Sequence, residues 1–424
     1  MGTLIKNGHI IDPANKIDDI QDIFIEKSRI ARVAKNLKVE TDDIIDATGK
    51  LVMPGIVDMH VHLREPGRED KETVLTGTSA ALKGGVTSCL AMPNTQPAVD
   101  CVENVRLLVS IIKKTAKANV FIAAAITKGR QGQELTDIAR LKQEGILAIT
   151  DDGSSVDCDE LLLEALKIAK ENQLLVICHS EDRMLSRGGV VNQGIVATRM
   201  GLRGISKESE YKRIQRDIQL AKMASARVHI AHISCSESVE IIAEAKKDGV
   251  AVTAETSPHY FALTEEQALG YDTNMKVNPP LRSKGDVEAI KQGLNSGIID
   301  VIASDHAPHT ENEKDIEFEH AAFGTICLET ELAVSITELV KTGVLGWPDL
   351  VRKLTINPAS ILGLKKGDLS IGSDADIIIV NPNQEWAVSK DSFLSKSKNC
   401  AFLGRKLNGL VEYTICNGTV AYKK

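Results

Sequence analysis

The sequence predicts a (β/α)8 barrel joined to a small β-sandwich domain built from both chain ends. Three observations lead there: a helix-glycine-strand pattern repeated through the middle of the chain, eight apolar runs spread over residues 56–305, and short turn-punctuated strands at the two ends. In LKGGVTSCLAMPN, LKQEGILAITDD, AKKDGVAVTAETSPH and LNSGIIDVIASDH a helical pattern stops at Gly, a short apolar run follows, and polar residues close it. Glycine takes the left-handed position past a helix end without a Cβ penalty, so each reads as a helix stop feeding a buried strand. IVDMHVHLR, NVFIAAAIT, LLVICHSED and RVHIAHISC bring the candidate strands to eight. DELLLEALKIAKEN and SVEIIAEAKKDG supply amphipathic helices between them. Eight alternating units over about 250 residues is the size of a closed barrel, with a doubly wound open sheet as the alternative. The ends read differently, since TLIKNGHIID, DIFIEKSRIARVAK, DLSIGSDADIIIVNP and EYTICNGTVAYKK are short strands broken by NG and SD turn signals. The expected division is therefore residues 1–52 and 366–424 for the two halves of the β-sandwich and 53–365 for the barrel.

Composition narrows the function. With 43% hydrophobic and 26% charged residues, the 424-residue chain can bury a substantial core. A net charge of −7 argues against a surface that neutralises nucleic acid phosphates, so an anionic ligand has to be met by local cations. Aromatic residues are only 3%, which leaves few platforms for stacking bases. The eight cysteines contain no CxxC pair, as expected of reduced thiols in a cytoplasmic protein, and no apolar run approaches the roughly 18 residues of a membrane span.

Chemistry concentrates at strand ends. In Asp58-Met-His60-Val-His62 three polar side chains recur at every second residue, which strand alternation places on one face. A lone HxH is weak, but Asp151-Asp152, His179, His232 and Asp305-His306 close later strands in the same way. Ionisable groups at buried strand ends need partners, and barrel active sites are built from those ends. The set His60, His62, Asp152, His179, His232 and Asp305 therefore points to a metal centre. Imidazole and carboxylate without thiolate suit zinc or another borderline divalent ion in a hydrolytic role. Strand parity does not choose between Asp151 and Asp152. His229, of opposite parity to His232, reads as a packing residue, whereas His259 in SPHY stands open between packing and site roles.

Together, PGIVDMHVHLREPG, AMPNT, TDDG, HSED, AHIS, NPPLR, ASDHAPHTENEK and FGT, in this order, resemble the dihydroorotases of the amidohydrolase superfamily over essentially the whole chain. The resemblance implies zinc, one or two ions per subunit with two favoured: His60 and His62 would hold one, His179 and His232 the second, and Asp152 would bridge them. Many members of that superfamily bridge with a carboxylated lysine, but GILAITDDG offers none and matches the subgroup that uses aspartate. The implied reaction is the reversible cyclisation of N-carbamoyl-L-aspartate to dihydroorotate. The metal would acidify a water and polarise the amide carbonyl, and Asp305, as general base and acid, would carry the proton to the ring nitrogen.

By the same resemblance Arg64, Asn94 and His309 hold the substrate carboxylate, while His62, Asn278 and the backbone of Phe323-Gly324 complete the substrate site. The family also implies a homodimer and an association with aspartate transcarbamoylase. Two other functions compete. A hydantoinase, dihydropyrimidinase or allantoinase would take neutral rings that give no reason for Arg64, and a catalytically silent partner of aspartate transcarbamoylase would have lost metal ligands that are all present here. The charged segment 310–320 reads either as a mobile lid or as a solvated loop.

Overall fold

The computed structural model describes residues 2–424. Strands β1 (Gly2–Asp12), β2 (Ile17–Glu26), β3 (Arg29–Ala34), β4 (Ile44–Asp46) and β5 (Leu51–Pro54) come from the N-terminal end. Next are β6 (Ile56–Val61), β7 (Val86–Ala91), β8 (Asn119–Ala124), β9 (Ala148–Ile149) and β10 (Leu175–Cys178), then a short ribbon, β11 (Val191–Asn192) and β12 (Gly204–Ile205). The chain continues through β13 (Val228–Ile230), β14 (Val252–Thr256) and β15 (Val301–Ile302) to β16 (Ile377–Ala387), β17 (Lys406–Cys416) and β18 (Thr419–Lys423).

Eight parallel strands run in the order β6-β7-β8-β9-β10-β13-β14-β15, one for each apolar run of the sequence. The ring closes through a parallel bridge between Val61 and His306, with His62 N–H donating to His306 O at 3.0 Å. Asp58 reinforces this seam by accepting from Ser304 N at 3.2 Å. Strands β9 and β15 are only two residues long. Beyond them the backbone leaves the ladder to present Asp152 and Asp305, and Asp305 itself is left-handed (φ 47°). Of the helices between strands, Asp159–Glu171 and Ser236–Lys247 fall where the amphipathic pattern predicts them. The glycine stops at 85, 145, 249 and 297 all have positive φ, between 75° and 90°.

Both chain ends meet in one mainly antiparallel sheet, β18-β17-β16-β5-β1-β2-β3, with β4 paired to β1. Its strands alternate as half-buried strands do. Val52, Ile377 and Ile379 join Ile5, Ile23 and Ile415 in a core of the sheet's own, whereas Leu51, Met53, Ile378 and Val380 belong to the larger core shared with the barrel. Only Gly55 separates β5 from β6, and a Cβ there would lie 2.2 Å from the Thr87 hydroxyl oxygen, so a side chain would push sheet and barrel apart. Lys366 is half-buried, with its ammonium 3.0 Å from Asp374 and 2.7 Å from Asp376 in the GSDAD turn that leads into β16. Among the described residues no helix is long and apolar enough to cross a membrane.

Candidate metal centre

The strand ends of the barrel bring His60, His62, Asp152, His179, His232 and Asp305 into one buried cluster. Asp152 lies at its middle. Its Oδ1 is 3.3 Å from His60 Nε2 and 3.7 Å from both His179 Nδ1 and His232 Nε2, and its Oδ2 is 3.5 Å from His62 Nε2. Asp305 Oδ1 is 3.3 Å from His62 Nε2 and 3.6 Å from His60 Nε2. The neighbouring Asp151 is committed elsewhere: it accepts from Ile126 N, Thr127 N and the Thr127 hydroxyl and so fixes the loop after β8.

The protonation pattern suits an ion. His60 Nδ1, His62 Nδ1 and His179 Nε2 each donate to an oxygen behind the ring, on Glu255 (2.6 Å), Asn94 (2.7 Å) and Glu181 (3.1 Å) respectively. In a neutral ring the opposite nitrogen of each faces the cluster and is the lone pair that an ion would take. His179 Nδ1 and His232 Nε2 approach to 2.9 Å, and His60 Nε2 and Asp152 Oδ1 have no hydrogen-bond partner among the described residues. Buried polar atoms are rarely left unpaired, and this convergence of unpaired imidazole and carboxylate atoms fits a divalent cation. Two overlapping groups can hold one: His60, Asp152 and His232, and His60, His62 and Asp305. Burial works against charge on Asp152, yet His60, His179 and His232 hold its carboxyl well below the usual carboxylate range. Against the same burial, His62, His60 and His232 hold Asp305 below its ordinary value.

Beside the cluster stands a cationic corner. Arg64, itself left-handed (φ 60°), donates through Nε to Pro308 O at 3.1 Å and through Nη2 to His309 Nε2 at 3.4 Å. Burial pushes Arg64 down only to about 10, so the guanidinium stays charged at neutral pH. Burial, with Arg64 and Lys71 adding to it, pushes His309 down to about 3 and keeps it a neutral acceptor. Gly324 (φ 136°) lies against this corner, where a Cβ would meet Ala307 Cβ at 2.8 Å and His309 Nε2 at 3.1 Å. Its N–H donates to Lys276 O, while its carbonyl accepts from Lys314 and Asn399. Phe323 lies under the Lys276 ammonium, 4.6 Å from the ring centroid, and Asn278 Nδ2 donates to Glu181 at 3.1 Å.

Segment 310–320 contains a short helix, Glu311–Lys314, and is tied down from both sides. Lys314 Nζ reaches Ala322 O (2.8 Å) as well as Gly324, and Lys276 Nζ reaches Phe318 O (2.9 Å) and Glu319 O (2.8 Å).

Three polar residues of the site have no counterpart among the sequence candidates. Glu255, on β14, and Glu181, in the HSED run, stand behind His60 and His179 of the cluster, and Arg130 donates to Asp152 O at 2.8 Å. Glu181 could have been read from its position two residues after His179, but Arg130 sits in a turn with no motif. His259 is fully buried with both ring nitrogens unpartnered among the described residues, and burial pushes it down to about 4.

Deeper in the interior, Glu331 is 0% exposed with neither carboxylate oxygen hydrogen-bonded among the described residues. Burial, with Asp58 and Glu255 adding to it, holds its carboxyl well above the ordinary value of 4.5. Folding therefore keeps a proton that the unfolded chain releases above pH 4.5, and stability drains by about 1.4 kcal/mol for each further pH unit until the folded group ionises. Glu331→Gln is neutral in both states. Thermal unfolding should show the variant more stable than wild type at pH 8, with the difference vanishing near pH 4. An equal difference at both pH values would contradict a protonated Glu331.

A family model described as dihydro-orotase-like matches residues 49–238. A dihydroorotase of Elusimicrobium minutum is 52% identical over 418 residues, covering 99% of this chain and 97% of its own. One of Geotalea daltonii is 48% identical over the full length of both chains. Among solved structures, an L-hydantoinase (dihydropyrimidinase) from Arthrobacter aurescens superposes with a TM-score of 0.90 at 25% identity, covering 100% of this chain and 97% of that one. The barrel is thus shared with other cyclic-amide hydrolases, whereas these relatives near one-half identity, end to end, are dihydroorotases: the chain belongs to the dihydroorotase family.

Proposed function

We propose that this protein is a metal-dependent dihydroorotase that interconverts dihydroorotate and N-carbamoyl-L-aspartate in pyrimidine biosynthesis. The observation that carries the reading is the half-buried, charged Arg64 beside a cluster of four histidines and two aspartates, because the ring to be opened bears a carboxylate. When bound, a divalent ion acidifies water and polarises the amide carbonyl. His60, His62, Asp152, His179 and His232 would hold it. Zinc, two ions per subunit, is the loading we favour, supported by the two oxygens of Asp152 facing His62 on one side and His60, His179 and His232 on the other.

Asp305, ionised beside the cluster, takes the proton released by the attacking water. As the bond between acyl carbon and ring nitrogen breaks, Asp305 returns that proton to the nitrogen, and cyclisation runs the same transfers backwards. Arg64 pairs with the carboxylate through a planar fork, with His309 fixing the guanidinium. Asn94 accepts from His62 through Oδ1 and keeps its amide N–H groups for the substrate. Asn278, Phe323 and Gly324 border the ring. The eight unpaired cysteines support a reducing, cytoplasmic setting, and the homodimer and the association with aspartate transcarbamoylase rest on the family resemblance.

A carboxylate held by one guanidinium contributes roughly 2–3 kcal/mol. Arg64→Ala should therefore raise KM for dihydroorotate about 30- to 150-fold and leave slow turnover of dihydrouracil, which lacks the carboxylate, unchanged. Steady-state kinetics on both rings reads this, and equal losses would remove Arg64 from carboxylate recognition.

A further inference from the structure

Behind His60 lies a chain of hydrogen bonds that the reaction as derived does not use. His60 Nδ1 is 2.6 Å from Glu255 Oε1, Glu255 Oε2 is 3.2 Å from His229 Nε2, and His229 Nδ1 is 2.8 Å from Thr253 Oγ1. His60, Glu255 and His229 are each 0% exposed, so water cannot substitute for any of these partners. We propose that Glu255 and His229 are a positioning pair for His60, which fixes its tautomer and thereby sets the affinity of the centre for its ion. The proposal rests on the metal-dependent reading above.

The proton arrangement follows from what each group can do. An ionised Glu255 only accepts, so both imidazoles must donate to it. His60 then carries its hydrogen on Nδ1, and Nε2, 3.3 Å from Asp152 Oδ1, is the lone pair offered to an ion. His229 carries its hydrogen on Nε2, and its Nδ1 accepts from the Thr253 hydroxyl. With both rings neutral and Glu255 ionised, this is the one distribution in which every donor of the three bonds meets an acceptor.

The scaffold is rigid. Thr253 and Glu255 are two residues apart on β14, His229 is registered opposite Thr253 on β13, and both strands lie within the barrel ladder. The other ligand histidines have weaker backing. His62 donates to a neutral amide, His179 donates to Glu181, whose side chain is 20% exposed, and His232 Nδ1 has no partner among the described residues. A buried carboxylate behind a ligand imidazole orients the ring and makes its free nitrogen a better donor, and partners of this kind typically change metal affinity about 10- to 100-fold.

The test is ion affinity measured by competition with a chromophoric chelator, using zinc and, for its absorption spectrum, cobalt(II), on wild type, Glu255→Gln, Glu255→Ala and His229→Gln. Glu255→Gln keeps the shape and one acceptor but loses the charge, and should weaken zinc binding about 10-fold; Glu255→Ala should weaken it about 100-fold. His229→Gln should fall between wild type and Glu255→Gln. The cobalt spectrum should shift in both Glu255 variants, a change that a purely structural role would not produce in protein whose circular dichroism is native. Should Glu255→Ala fail to fold, the near-isosteric Glu255→Gln decides alone. Wild-type affinity and an unchanged spectrum in Glu255→Gln would overturn the inference while leaving the metal centre in place. A wild-type protein that takes up neither ion would overturn the metal-dependent reading and the inference with it.

Discussion

Asp305→Ala is expected to abolish ring opening while leaving the protein folded and able to take up its ion. Asp305 Oδ1 faces His62 and His60 from beyond the end of β15, and in the proposed reaction this carboxylate carries the proton from the attacking water to the leaving nitrogen. Positioned proton transfer contributes about 10²- to 10⁴-fold, and one group serving both halves of the reaction places the loss toward the upper end. An ion is retained because the group of His60, Asp152 and His232 is untouched, with His62 and His179 beside it. The left-handed backbone at residue 305 is less favourable for Ala than for Asp, which costs about 1 kcal/mol of stability without threatening the fold. Turnover assays paired with metal analysis of the same sample check this. Near-normal catalysis would mean that the proton carrier lies elsewhere.

Asp152→Ala should have the opposite signature, losing activity because the ion is lost. Asp152 is the one carboxylate among the described residues within 4 Å of all four histidines of the cluster. Its removal leaves four buried imidazoles with no shared anion, and ion affinity should fall by more than about 100-fold, beyond what loss of a partner behind a ligand costs. Excess zinc should restore part of the binding and little of the turnover. A variant that keeps full metal content after dialysis would contradict the central place given to Asp152.

The barrel was legible because glycine stops and apolar runs are local signals: each of the four stops named from the sequence is a left-handed glycine after a helix. The cluster itself was legible because its residues end strands, and the geometry of a barrel gathers strand ends at one mouth. What brings Asp152 rather than Asp151 to the histidines was not legible from alternation. It depends on Thr127 and the loop after β8 capturing Asp151, a contact across strands. Glu255 was hidden for a similar reason, since it meets His60 across 195 residues of sequence, and no spacing rule connects β14 to β6. His229 does pack inside as its parity suggested, but it packs onto a carboxylate, and the partner could not be read from the residue itself. The charge of segment 310–320 left a mobile lid and a solvated loop open, and the carbonyl groups that Lys276 and Lys314 reach are contacts that charge alone does not reveal.

The measurement that tests the account most directly is the rate of ring opening of dihydroorotate by zinc-loaded protein, beside hydantoin, dihydrouracil and allantoin, with metal content determined on the same sample. The account predicts strong preference for dihydroorotate, bound metal, and loss of activity to a chelator with recovery on adding zinc. Metal-loaded protein that prefers a neutral ring, or that is inert on all four, would contradict it.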